Sequence, residues 1–162
     1  MTVTAVHKDL DACTLTVSAE FDHPVERVWQ LWADPRQLER WWGPPMWPAT
    51  FTAHSLAVGE MCRYHMTGPD GEQSHGWWRV RTVEAPVLLE VEDGFAGPDG
   101  EPNPAMPTTG MRVTLAPRAG GGTSVAILST FASADDLVRM VEMGMEEGLQ
   151  LAMGQMDAIL AG

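Results

Sequence analysis

The chain has 162 residues, 44% apolar and 20% charged, the make-up of one globular domain that hides roughly 70% of its unfolded surface. Its 22 acidic and 10 basic side chains give a formal charge of −12, which repels phosphate backbones and anionic bilayers and argues against nucleic acid or a membrane as partner. The longest charge-free run, Trp41 to Gly59, is interrupted by Pro44, Pro45 and Pro48 and cannot span a bilayer.

No basic start followed by an apolar stretch is present, so no secretory leader is expected. Cys13 and Cys62 are far apart and not in a metal-ligand spacing, so the expected setting is a reduced cytoplasm.

Leu15, Val17, Ala19 and Phe21 alternate with Thr14, Thr16, Ser18 and Glu20, which predicts a first strand over residues 13–22 with one wet face. Val25, Val28, Trp29 and Trp32 then recur at helical spacing after Pro24, with Asp22 or His23 as cap, giving a helix of about three turns. Asp34-Pro35 repeats the start signal, a carboxylate cap and a proline at the first helical position. Leu38, Trp41 and Trp42 form the apolar face of this second short helix, and Gly43-Pro44-Pro45 stops it.

Six further strands are predicted near 49–57, 60–67, 74–84, 87–93, 110–117 and 122–131. Gly59, Gly68-Pro69-Asp70-Gly71, Ala85-Pro86 and Ala119 to Gly122 mark turns between them. The Gly/Pro-rich segment within 94–110 is longer than an ordinary hairpin loop and suggests a flap at a cavity mouth. A single long helix is expected from Ala134 to about Leu160, started by Ser133 with Asp136 three residues on. Val141, Met145, Leu149, Ala152, Met153, Met156 and Leu160 form its buried stripe. No repeat or second domain is visible, so residues 1–162 read as one domain.

The residues Phe21, Pro24, Val28, Trp29, Trp32, Asp34, Pro35, Leu38, Trp41, Trp42, Gly43 and Pro44 resemble the opening of the START-like (SRPBCC) helix-grip superfamily. The similarity is to the branch named after activators of the Hsp90 ATPase, which also includes polyketide cyclase/dehydrase-like proteins. Val58-Gly59, Arg63 to Met66, Pro69 to Gly71, Ala85-Pro86 with Leu89, and Gly144 to Gly148 fall at that branch's landmarks. The resemblance implies an α+β fold: a curved seven-stranded antiparallel sheet wrapped around a long C-terminal helix, with two short helices between strands 1 and 2. It says little about chemistry, because members act on very different small molecules.

A curved sheet and a straight helix cannot touch everywhere, so the expected ligand site is the space between the concave face and the N-terminal half of the last helix. Gly144 and Gly148 remove side chains one turn apart there, and Met140, Met143, Met145, Met153 and Met156 offer adaptable lining that also serves as ordinary core. Alternation places His54, Tyr64, Asp93 and Ser129 on the inner face among apolar residues, and buried polar groups need partners or a ligand. The residues expected to bind ligand are Trp42, Trp47, His54, Tyr64, Met66, Trp78, Met111, Val141, Met145 and Leu149.

No nucleophile elbow, zinc-protease helix, phosphate-cradling loop or dinucleotide fingerprint occurs, so no cofactor or metal is expected. His65 and His75 can meet across a turn, but without a third ligand. The leading expectation is therefore a protein that binds a small hydrophobic molecule. The alternative is a cyclase- or aromatase-like enzyme in which His54, Tyr64 and Asp93 orient or deprotonate substrate. A regulator of a chaperone ATPase is a third reading suggested by the branch name alone, and a homodimer is compatible with such a domain without any residue pointing to it.

Overall fold

The computed structural model describes residues 2–162, with side chains from Ala5 onward. Strands β1 (Thr2–Asp9) and β2 (Thr14–Phe21) lead into helices α1 (Val25–Ala33) and α2 (Pro35–Glu39). Strands β3 (Ala49–Ala53), β4 (Met61–Thr67), β5 (Gln73–Glu84), β6 (Leu88–Ala96), β7 (Thr109–Pro117) and β8 (Thr123–Phe131) follow. Helices α3 (Ala134–Glu142), α4 (Met145–Met153) and α5 (Met156–Ala161) close the chain. The strands form one antiparallel sheet in the order β1-β2-β8-β7-β6-β5-β4-β3. The α1–α2 connection thus carries the chain from β2 across to the far edge at β3.

Two features differ from the expected seven strands and single helix. Strand β1 pairs with β2 at the sheet edge, and a register shift between Val3 and Ala5 interrupts the alternation by which a strand is recognised. The C-terminal rod is three helices, because Gly144 takes the left-handed conformation at φ +94° and starts α4, and a further break falls at Gly154 and Gln155. That conformation costs glycine little, whereas an L-residue pays about 1–2 kcal/mol for it.

The short helices are set by local chemistry. Asp34 accepts from Arg36 N at 2.9 Å and from Gln37 Nε2 at 2.9 Å, as its capping role requires. The start of α1 differs from expectation: Pro24 itself is the N-cap residue and no side chain caps the helix. Ser133 accepts from Asp136 N at 3.1 Å and starts α3. Trp32 and Trp41 are fully buried, edge to face at 5.2 Å, and the Trp41 indole donates to Leu31 O at 2.8 Å.

The helical segments meet the sheet unevenly. Ala152, Met153, Met156, Ile159 and Leu160 are at most 5% exposed and complete the main core with Val17, Phe21, Val28 and Ile127. Leu137 on α3 is buried in a separate cluster with Leu15 and Phe131. Between these two anchored ends, Met140, Met145, Gly148 and Leu149 stand over open space.

Candidate functional site

Register places the polar side chains of the inner face. Tyr64 on β4 is opposite Gly76 on β5, Asp93 on β6 is opposite Trp78 on one side and Thr109 on the other, and Ser129 on β8 is opposite Met111 on β7. Tyr64 reaches across β5 because Gly76 has no side chain: a Cβ there would lie 2.3 Å from the phenol Cζ and 2.4 Å from its Oη. Tyr64 Oη therefore donates to Asp93 Oδ1 at 2.8 Å. Outside the sheet the same device recurs, with Trp77 lying over Gly94 and donating to Phe95 O at 3.1 Å.

Over this row lies a cavity of about 210 Å³, walled by Trp42, Pro44, Met66, Met111, Met140, Met145, Gly148 and Leu149, with Tyr64, Asp93, Thr109 and Ser129 supplying its polar atoms. A smaller hollow of about 90 Å³ adjoins it and shares Tyr64, Met66, Asp93, Thr109 and Met140. Gly148 is not a close-packing contact, since a Cβ at that position would meet nothing within 4 Å. A larger open groove of about 600 Å³ runs over the outer face of the sheet, where Arg81 pairs with Glu92 at 2.7 Å and Arg112 with Glu90 at 4.0 Å. Its charges are already paired and solvent-facing, whereas the inner cavity is apolar around one polar pair.

Burial sets the protonation of that pair. Desolvation pushes the Asp93 carboxyl up to about 7, opposed by the bonds it accepts from Tyr64 and from the Gly94 backbone. Burial also drives the Tyr64 phenol well above its usual value, and the neighbouring Asp93 adds to this. The Trp42 indole N–H lies near enough to oppose the shift, but it makes no hydrogen bond of normal geometry. The phenol is thus a proton donor at neutral pH, and the carboxyl holds its proton far more readily than a solvated one.

Not every expected residue reaches the cavity. Trp42, Tyr64, Met66, Met111, Met145 and Leu149 line it together with Asp93. His54 does not: β3 ends at Ala53 with a register shift after Phe51, and the inward residues of that strand are Ala49 and Phe51. The His54 ring instead bonds Trp32 O through Nε2 at 3.0 Å, and burial lowers its pKa. Trp78 is fully buried beneath Trp42, with ring centroids 4.8 Å apart. Trp47 packs over Gly68 at the β4–β5 turn, and Val141 joins the Leu15, Phe131 and Leu137 cluster.

The segment within 94–110 expected to form a flap reaches the hollows only at its ends, where Gly94 and Phe95 line the smaller one and Thr109 lines both, and Met106 in its middle meets Arg139 of α3. Arg63 donates to Gly100 O and pairs with Glu101 at 3.6 Å, Asn103 N donates to Phe95 O, and no residue of 97–108 lines either inner hollow. Pro44, Thr109 and the positioning residue Gly76 were not anticipated. Thr109 shares the alternation of Met111 and Val113, but the strand was expected to begin one residue later. A glycine inside the β5 pattern was the available signal of a close approach. Among the described residues no group of three or more His, Cys, Asp or Glu is arranged to hold a metal, and His65 and His75 lie 5.7 Å apart by ring centroid.

The sequence profile of the family described as "Activator of Hsp90 ATPase homolog 1-like protein" matches residues 22–161. The chain belongs to this family. Among solved structures, a protein from Arthrobacter aurescens studied by solution NMR is 50% identical and superposes with a TM-score of 0.94, covering 99% of this chain and 92% of that one. The crystal structure of a protein from Mycobacterium smegmatis is 45% identical with a TM-score of 0.90, covering 98% and 97%. A crystal structure from Rhodobacter sphaeroides, 23% identical with a TM-score of 0.82 over 97% of both chains, shares the fold. No curated protein matches significantly. Family and neighbours together establish the START-like helix-grip architecture for this Hsp90-ATPase-activator-like chain. Among the described residues no helix is long and apolar enough to cross a membrane.

Proposed function

We propose that the protein binds a small hydrophobic molecule in the hollow between the inner face of the sheet and α3–α4. The observation that carries this reading is the cavity of about 210 Å³ with largely apolar walls around the part-buried Tyr64–Asp93 hydrogen bond. Ligand sites pair a largely apolar lining with a few placed polar groups, and drug-sized pockets span about 300–1,000 Å³. A hollow below that range suits a correspondingly small occupant. Native mass spectrometry and thermal shifts over a panel of aromatic metabolites, short lipids and small polyketides test it. A hit should disappear in Leu149→Trp, which fills the hollow from α4. A panel without hits, or binding that survives Leu149→Trp, would overturn the reading.

One observation favours a second reading, catalysis in the same cavity. A carboxyl poised at about 7 and held by a phenol has the proton affinity of a general base at neutral pH. Tyr64 and Asp93 are then the reacting pair, without His54, and the expected chemistry is proton abstraction from a polyketide-like carbonyl compound. Turnover of such a compound that is abolished by Asp93→Asn and follows a single ionisation near pH 7 supports this reading; bound substrate recovered unchanged counts against it.

A further inference from the structure

The charge inside the cavity restricts what its occupant carries. Neither inner hollow is lined by a lysine or arginine, and the one carboxylate in both is Asp93. The titratable group in contact with that carboxylate is Tyr64 from β4, which donates to Oδ1, while His75 from β5 lines the margin of the smaller hollow with its ring 5.7 Å from that of His65. Strand β7 contributes Thr109, while α3 and α4 contribute Met140, Met145, Gly148 and Leu149, none of which carries charge. An anionic headgroup would therefore enter a largely apolar site whose one ionisable carboxyl carries a like charge, within a chain of formal charge −12.

A cation meets the opposite conditions. It would neutralise a carboxylate that desolvation now disfavours. The thioethers of Met66, Met111, Met140 and Met145 supply polarizable walls for an apolar tail. Resting on the cavity reading above, we propose that the site selects a small apolar amine, bound as its ammonium ion against Asp93 beneath α4.

The selection carries a pH signature. The free carboxyl gains its proton as pH falls through about 7, so an ammonium must then displace a proton to bind. Its apparent affinity should weaken by up to about tenfold per pH unit below that point and stay level above it until the amine itself deprotonates.

Titration calorimetry with two matched sets tests this: 2-phenylethylamine, 2-phenylethanol and phenylacetate, and hexylamine, hexanol and hexanoate, at pH 8 and pH 6. The expected result is an amine that binds at least about tenfold more tightly than its alcohol at pH 8, an acid that binds most weakly, and an amine affinity about tenfold lower at pH 6. Asp93→Asn, which keeps an acceptor for Tyr64, should bring amine and alcohol to the same affinity and remove the pH effect. An alcohol or acid that binds as tightly as the amine overturns the proposal, as does a preference retained in Asp93→Asn. If the broader panel yields only neutral or anionic ligands, the amine is refuted and the cavity reading stands. If nothing binds in either experiment, both fall.

Discussion

Replacing Asp93 with asparagine should stabilise the fold, and by an amount that grows with pH. The carboxyl titrates at about 7 in the folded protein against 3.8 when solvated, so the folded state holds the proton more tightly. A group of this kind contributes stability that is fully present below pH 3.8 and is lost as pH rises through about 7. The interval corresponds to about 4 kcal/mol at about 1.36 kcal/mol per pH unit, and solvent reaching the cavity lowers the expected figure to about 2–4 kcal/mol. Asparagine has nearly the same shape, accepts the Tyr64 bond and never ionises. Urea unfolding of both proteins between pH 5 and pH 8 should therefore show the advantage of Asp93→Asn widening by about 1–2.5 kcal/mol, since every other titrating group is common to the two. A gap that is constant with pH, or that narrows, would show that Asp93 is not held in a dry site, and the account of the cavity's electrostatics would fail with it.

Gly76→Ala forces the Tyr64 ring off Asp93 and should cost about 1–3 kcal/mol of overpacking, read by denaturant unfolding. The same change in a Tyr64→Ala background should cost less than about 1 kcal/mol, a non-additivity that a merely local strand effect would not give. Gly144→Ala should destabilise by about 1–2 kcal/mol because of its φ of +94°. Gly148→Ala, with open space at its Cβ and a helical backbone, should instead stabilise by up to about 1 kcal/mol, so thermal melts of the pair should move in opposite directions. Trp41→Phe removes the indole bond to Leu31 O from a fully buried site and should lower stability by about 2–4 kcal/mol in urea titration.

Strands and turns were legible in the sequence because alternation and Gly/Pro punctuation are local. β2, β4 and β8 fall within a residue or so of their expected limits. The misplacements come where periodicity is interrupted. Strand β3 ends at Ala53, which leaves the His54 ring on Trp32 O beside Phe51 instead of in the cavity, and the shift between Val3 and Ala5 hid β1. The apolar stripe from Val141 to Leu160 reads as one helix because glycine is tolerated in helical patterns. Only backbone geometry reveals that Gly144 is left-handed while Gly148 is helical. Trp78 and Val141 were placed on the correct faces, but alternation carries no information about depth. Trp42 covers the first, and the Leu137 cluster takes the second.

The distribution of polar groups bears on whether the hollow is a site or a packing defect. Tyr64, Asp93, Thr109 and Ser129 come from four different strands, yet all lie under the part of the rod that stands clear of the sheet. The tightly packed end of the rod, Met153, Met156 and Ile159, belongs to the main core, whose sheet members include Val17, Val113, Val125 and Ile127. A polar side chain in a filled core would need a partner there, and an accidental void in an apolar core would be lined by carbon. Polar groups that coincide with open space, together with a glycine on β5 that lets a phenol reach a part-buried carboxyl, are what a site that receives another molecule requires.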